Sequence, residues 1–374
     1  MINTRTKTVV YTLLAGWVGA SCVDVGQDRA DFDEGIGVAE MAAAKVVVTD
    51  GLARVLQLDA AGLVLWAQAP TLEIALEVID PNGAPTALEV QNCVPDAQLT
   101  ITGPDGLTRT PEASPGDRPT VRRWVIETSS PGAYVWRVAS PRADARSAFR
   151  FVAFADVQRR LDGIQDLFGP MAREENVRFG LVSGDLTSRG TLPDLRQFQR
   201  EMGTLPFPLY ATLGNHDLGT DEHHFQRVFG RCSFSFEYGG VRFSLLDSAS
   251  AGLAPKVSER LEDWLEAGRD GLHLVMMHIP PLDPVGRRNG GFASRLEASR
   301  LLSSLAQARV DLTIYGHVHS LYTFENAGID AIISGGGGAI PQRLDGIGRH
   351  YLLVDADPQA QRFLSAPVRV YPAE

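Results

Sequence analysis

Aspartate, asparagine and histidine recur at five places in this chain, each just behind an apolar run that reads as a buried strand. The places are Asp156-Val157-Gln158 after FRFVAFA, Gly184-Asp185 after FGLVS, Gly214-Asn215-His216-Asp217 after PLYATL, His278 after LVMM, and Gly316-His317-Val318-His319 after LTIY. Short apolar runs bounded by Gly and Asp read as strands of a covered sheet. Loops at the carboxyl ends of parallel strands converge on one crevice. Carboxylate, amide oxygen and imidazole gathered there suit Mn, Zn or Fe ions, and no cysteine takes part. Two such ions about 3.5–4 Å apart clamp a phosphoryl group and bring the pKa of bound water down toward about 7. Phosphoester hydrolysis follows from that set more directly than a structural role does.

Taken singly, each segment has an ordinary explanation. An aspartate at a strand end is commonly a cap or a turn former, Gly-Asn is a turn, and a histidine on an apolar strand is commonly a core residue. Together and in this order they resemble the signature of the calcineurin-like metallophosphoesterases: Asp-x-His, Gly-Asp with a following Gly (GDLTSRG), Gly-Asn-His-Asp, His (MMHIPP) and Gly-His-x-His. The resemblance covers roughly residues 148–357. It implies a four-layer α/β/β/α sandwich with two divalent or trivalent ions, Mn, Fe or Zn, and a metal-activated hydroxide that attacks a small-molecule phosphate ester, monoester or diester. By the same resemblance Asp185 bridges both ions. Asp156 and His319 belong to the first site, with Gln158 at its remaining position. Asn215, His278 and His317 belong to the second, and His216 faces the substrate as the catalytic residue, stabilising charge or protonating the leaving oxygen.

Two positions depart from the family pattern. Gln158 stands where the family usually has histidine, and its amide oxygen is a weaker ligand for a transition metal. It reads either as a ligand or as a group behind the ligands. Ser188 stands where many family phosphatases have an aspartate that orients the catalytic histidine, which leaves Asp217 or a backbone carbonyl for that task. Purple acid phosphatases carry a tyrosine ligand at that same position, so no tyrosinate colour is expected.

Other features near these segments are less specific. Gly335 to Gly338 lacks the Lys-Ser or Lys-Thr of a nucleotide-cradling loop, and reads as a turn or a close approach to substrate. His223 and His224 read as substrate contacts or as exposed helix residues. Arg189 reads as a phosphate contact or a surface ion pair. The stretches Leu282 to Phe292 and Thr220 to His224 are the expected readers of the leaving alcohol.

At 374 residues the chain has room for two domains, and 44% hydrophobic content supplies a core for each. A formal charge of −10 without a Lys/Arg cluster argues against general nucleic-acid binding. Arg5 and Lys7 precede an apolar stretch from Val9 to Val18, and small residues lead on to Cys22, the layout of an export signal over residues 1–22. The run VGASC resembles a bacterial lipoprotein box, which implies membrane attachment through lipidated Cys22; the alternative is a periplasmic or secreted protein. Residues 23–44, with the acidic stretch Asp24 to Glu34, are expected to be a flexible tether. Cys93 and Cys232 read as two buried thiols.

The elements that must carry these residues are legible in outline. Between residues 45 and 147 the runs KVVVTD, GLVLWAQ, LEIALEVID, LTITG, RRWVIET and AYVWRVAS alternate with turn signals, which predicts an all-β immunoglobulin- or fibronectin-like sandwich. The chain from 148 to 374 then alternates strands with helical patterns in RRLDGIQDLFGPMAREE, LPDLRQFQREMG, VSERLEDWLEAG and ASRLEASRLLSSLAQA, with a hairpin at Gly239-Gly240. The competing functional reading is an exported binding or structural lipoprotein whose site has decayed, and Gln158 alone recommends it.

Overall fold

The computed structural model describes residues 26–284, 286, 290–341 and 347–371. The export signal, Cys22 and part of the 282–292 stretch lie outside the described residues. A short helix, α1 (Gln27–Asp33), is followed by eleven strands: β1 (Val38–Met41), β2 (Ala44–Val48), β3 (Ala53–Asp59), β4 (Gly62–Ala67), β5 (Thr71–Val78), β6 (Ala87–Gln91), β7 (Gln98–Thr102), β8 (Thr108–Arg109), β9 (Ala113–Pro115), β10 (Val121–Val125) and β11 (Gly132–Ala139). They form two sheets, in the orders β1-β2-β5-β11-β7-β8 and β3-β4-β6-β10-β9. Strict alternation explains β5, where Leu72, Ile74, Leu76 and Val78 are buried and Glu73 and Glu77 are exposed. Ile74, Leu99 and Trp136 of the first sheet share one core with Leu65, Val90 and Trp124 of the second. Because β1 pairs with β2, the first sheet takes in residues ahead of position 45.

The tether expected over residues 23–44 is corrected by this arrangement. Gln27–Asp33 is helical and docked, with Arg29 1% and Asp33 0% exposed, and Val38–Met41 is a strand of the first sheet. Acidic composition suggested solvation, but Asp33 accepts hydrogen bonds from the backbone N–H groups of Cys232 and Ser233 and from Gln226. A carboxylate so supplied with donors is stable inside the fold.

The remaining elements are β12 (Phe149–Phe154), α2 (Gln165–Met171), β13 (Val177–Ser183), α3 (Leu192–Met202), β14 (Leu209–Thr212), α4 (His224–Phe229), β15 (Phe234–Tyr238), β16 (Val241–Leu246), α5 (Pro255–Gly268), β17 (Leu272–Met277), α6 (Arg295–Gln307), β18 (Leu312–Tyr315), β19 (Leu321–Asn326), β20 (Ile329–Ser334), β21 (His350–Asp357) and β22 (Arg362–Arg369). Two mixed sheets result, β14-β13-β12-β21-β22 and β15-β16-β17-β18-β20-β19. Within them β12, β13 and β14 are parallel, as are β16, β17, β18 and β20.

The faces of the strands decide the layering. Inward residues interlock as aromatic pairs, with Phe151 edge-on to Phe243 at 5.5 Å and Phe179 edge-on to Phe236 at 5.8 Å. Outward residues Val152, Phe154 and Val182 pack with Leu167 and Phe168 of α2 and Phe198 of α3. On the other sheet Val275, Met277 and Tyr315 pack with Leu261 and Leu265 of α5 and Leu301 and Leu305 of α6. Helix, sheet, sheet and helix therefore succeed one another. Two of the helices have local starts: Thr191 accepts from the Asp194 N–H to begin α3, and Ser294 accepts from the Glu297 N–H to begin α6.

The two sets of sheets are joined by side-chain amides. Gln68 accepts from the Arg231 N–H at 2.6 Å and donates to the Arg231 carbonyl at 2.9 Å. Asn92 accepts from the Leu209 N–H at 3.2 Å and donates to the Leu209 carbonyl at 2.8 Å, so it supplies a partner to the edge strand β14. Cys93 and Cys232 are both buried free thiols. Among the described residues no helix is long and apolar enough to cross a membrane.

Candidate metal centre

Every parallel strand of the two mixed sheets delivers its carboxyl end to the same side, and the expected residues follow those ends directly. Asp156 comes after β12, Asp185 after β13, Asn215 and His216 after β14, His278 after β17, and His317 and His319 after β18. The chain must turn sharply to leave each strand there. Asp156 (φ 64°), Gln158 (φ 42°), Asp185 (φ 54°) and His317 (φ 66°) all adopt left-handed backbone. Such conformations cost about 1–3 kcal/mol each in non-glycine residues and persist only where the surroundings over-determine them. Here the loops bond one another: Asp156 N–H to the Gly184 carbonyl, Val157 N–H to the Asp185 carbonyl, and His317 N–H to Asp156 Oδ2 at 2.9 Å.

All seven expected ligands meet in one continuous chain of contacts. His319 Nε2 lies 3.4 Å from Asp156 Oδ1 and 3.3 Å from the Gln158 amide, which in turn lies 2.7 Å from Asp185 Oδ2. His278 Nε2 lies 3.3 Å from the same Asp185 oxygen and 3.1 Å from Asn215 Oδ1, and His317 Nδ1 closes the series 2.9 Å from Asn215 Oδ1. Asp156, Asp185 and His278 are fully or almost fully buried.

The atoms turned inward are mostly acceptors. His278 donates its Nδ1–H to the Ser183 carbonyl at 2.7 Å, and His319 donates its own to the Ile340 carbonyl at 3.0 Å, so each presents the Nε2 lone pair inward. Asp156 Oδ1 is buried with no hydrogen-bond donor. Ligand atoms of Asp156, Asp185 and His319 lie within 4.8 Å of one another. A lone pair on His278 Nε2 facing two oxygens needs a proton or a cation between them. Without a cation the proton is retained: burial opposes the His278 imidazolium, but the Asp185 carboxylate beside it raises its pKa well above the usual histidine range. Reciprocally, burial would raise Asp185, and the His278 charge overrides it and holds the carboxyl low. Converging oxygens and imidazoles without thiolate fit Mn, Fe or Zn ions.

His216 stands apart from this set. Its side chain is exposed, its N–H donates to Asp185 Oδ1 at 2.8 Å, and its Nδ1–H donates to the Ser188 carbonyl at 3.0 Å. The orienting group is therefore the backbone at position 188, and Asp217 has another task. Asp217 is buried and accepts from the N–H groups of Gly214, Leu186 and Thr187 and from the Thr187 hydroxyl, which ties the two loops together. Burial, with Asp185 nearby, pushes its carboxyl upward against those donors.

The less specific candidates also find their places. Arg189 is 76% exposed and faces Asp194 at 3.7 Å, a surface ion pair. His223 stacks on Phe32, and His224 Nδ1–H donates to the Gly190 carbonyl at 3.3 Å, so both brace loops. Gly335 approaches the ligands: a Cβ there would lie 2.9 Å from Asp156 Oδ2 and 2.3 Å from the Val318 carbonyl oxygen. Sequence reasoning missed the carbonyls of Ser183 and Ile340 and allowed for a backbone carbonyl behind His216 without identifying Ser188, because a backbone carbonyl carries no residue signature. A cleft lined by Arg142, Arg150, Arg178 and Asp355 opens at the opposite, amino ends of β12 and β13, with Arg150 and Arg178 paired to Asp355 and Asp96.

Residues 149–321 match the sequence model of the calcineurin-like phosphoesterases, which supports placing that segment in the metallophosphoesterase superfamily. It is similar to the serine/threonine-protein phosphatase CPPED1 of Bos taurus, 28% identical over 158 residues that make up 38% of this chain and 50% of that protein. It is also similar to the glycerophosphodiester phosphodiesterase GpdQ of Enterobacter lignolyticus (strain SCF1), 27% identical over 195 residues, 45% of this chain and 62% of that protein. The chain thus spans about half to three fifths of the length of these relatives. Among solved structures, a dimetal phosphatase from Danio rerio aligns with 60% of this chain and 100% of its own at 16% identity and a TM-score of 0.43.

Proposed function

We propose that this chain hydrolyses small-molecule phosphate esters at a centre of two cations. Asp156, Gln158, Asp185 and His319 would hold one, and Asp185, Asn215, His278 and His317 the other. When bound, ions of the Mn, Fe or Zn type supply a hydroxide near neutral pH and neutralise phosphoryl oxygens. The chain contributes the rest. Carbonyl-anchored His278 and His319 are fixed in the tautomer that offers Nε2, and the His216 N–H orients the shared Asp185 carboxylate. A half-turn of the Gln158 amide would present its oxygen in place of its nitrogen, an exchange that leaves the shape unchanged. His216, with Nδ1–H held by Ser188, is left to carry a proton on Nε2 to the leaving oxygen.

The observation that carries this reading is the convergence of lone pairs on a buried spot where Asp156 Oδ1 has no donor. His216→Ala is expected to keep its bound cations while kcat falls by about two to four orders of magnitude. Asp185→Ala is expected to lose cations and turnover together. Elemental analysis beside steady-state rates distinguishes them, and full turnover in either variant contradicts the assignment.

Monoesters and diesters both remain within the proposal, since the cations would recognise the phosphoryl group and the loops Thr220 to His224 and Leu282 to Phe292 would read the alcohol. The phosphatase and phosphodiesterase named above favour neither. We further propose that the first two sheets form an immunoglobulin- or fibronectin-like domain. Export, with attachment through a lipidated Cys22, is supported by the residue pattern ahead of Val23.

A further inference from the structure

We propose that α1 is a strut for His216, with Arg29, Phe32 and Asp33 as positioning residues that set its orientation through the Thr220–His224 loop. This rests on the reading of His216 as the proton donor to the leaving oxygen. The expected tether is instead a built contact. Arg29 is 1% exposed and holds Asp247 at 2.8 Å, Glu222 at 2.7 Å and the Ser250 hydroxyl at 2.9 Å. Asp247 follows β16, so Arg29 joins a strand end on the site's side of the sheets to the loop that leaves His216. Phe32 stacks on His223 with ring centroids 4.4 Å apart and planes 16° from parallel. Gln226, at the start of α4, donates to the Arg29 carbonyl and to Asp33. Lys256 and Arg260 of α5 pair with Asp31 and Glu34 and keep the helix in place.

From this loop the contact runs on to the histidine. His224 donates to the Gly190 carbonyl, and Gly190 packs so closely on the 217–219 backbone that a Cβ there would lie 2.3 Å from the Asp217 carbonyl oxygen. Two residues before Gly190, the Ser188 carbonyl receives the His216 Nδ1–H. His216 thus has no side-chain partner to fix its ring among the described residues. Its aim depends on where the 186–190 backbone is held, and α1 holds the loop against which that backbone rests. Small misplacements of a catalytic group cost rate steeply.

The test uses the full chain loaded with Mn and two variants chosen to fold. Lys256→Gln releases the α5 contact with Asp31 of α1 at a side chain that is 33% exposed, and Phe32→Ala removes the stack on His223. Rates are measured on an alkyl phosphate ester, whose leaving oxygen needs a proton, and on a nitrophenyl ester, whose leaving oxygen does not. Both variants are expected to keep their metal content, lose about tenfold in kcat on the alkyl ester and stay within about twofold on the nitrophenyl ester. Phe32→Tyr, which keeps the stacking ring, is expected to restore the alkyl rate. A merely structural role would lower both rates together, and that result overturns the proposal, as does an unchanged alkyl rate. His216→Ala separates the two levels of failure. If it shows the selective loss and the strut variants do not, the strut alone is wrong; if it shows none, the reading of His216 falls first.

Discussion

Gln158 sits between Asp185 and His319 with 8% of its surface exposed, which is no place for an idle amide. If its oxygen serves the first cation, Gln158→Leu should weaken that site by about ten- to a hundredfold in equilibrium dialysis, while Gln158→His should shift its preference toward Zn. Unchanged affinity in the leucine variant would make it a spacer. Away from the site, His273 carries a different consequence. Its Nε2 lies 2.9 Å from the Ser244 hydroxyl and its Nδ1 is buried without a partner. Burial, aided by the Arg242 charge, lowers its pKa to about 3. An unfolded chain takes up that proton near about 6.5, so the contribution is intact above about pH 6.5 and is lost as pH falls toward 3. Between pH 7 and 5 the wild-type unfolding free energy should fall by about 2 kcal/mol more than that of His273→Gln in urea titrations. Equal losses would show that the histidine ionises in place. The convergence of the site's acidic, amide and imidazole side chains could be anticipated because their types and order stand out in the sequence, whereas which backbone carbonyl anchors His216 could not, since a carbonyl carries no residue signature.

Among the elements, those with a strong pattern were legible and those defined only by their partners were not. The runs around Val46, Ile74, Leu99 and Trp136 announced their strands by alternation, that around Trp124 by its β-rich composition, and the Gly239-Gly240 hairpin by its glycines, both with positive φ. Strands β8 and β9 have two and three residues and exist only because β7 and β10 offer them an edge. Helix α2 is shorter than its pattern, because a 3-10 segment from Gln158 to Gly163 precedes it and keeps Gln158 in the site. Helix α1 was misread because acidic composition does not reveal that Arg29 and Asp33 have waiting partners. The amides that join the two halves were equally silent. Gln68→Ala or Asn92→Ala leaves a buried backbone N–H and C=O without a partner, which costs about 1–3 kcal/mol per group. Each variant should lower the denaturant midpoint, and Asn92→Ala should also speed hydrogen exchange at Leu209. No change in either would mean that water replaces the amide.

At the scale of the molecule, two sheets with a shared core carry a second pair of sheets whose parallel strand ends gather oxygen and imidazole groups around one buried spot. The first pair, together with α1, braces the second through Gln68, Asn92, Asp33 and Arg29, so the site is supported from outside the family-matched segment. The central claim is that this spot holds two cations that are required for phosphoester hydrolysis. The direct measurement is to strip the protein with chelator, add back Mn, Fe or Zn in steps, and follow bound metal and nitrophenyl phosphate turnover in the same samples. The account expects no turnover in the stripped protein, two bound equivalents at saturation, and activity that rises with the second. Turnover that persists without metal, or saturation at a single equivalent with full activity, would contradict it.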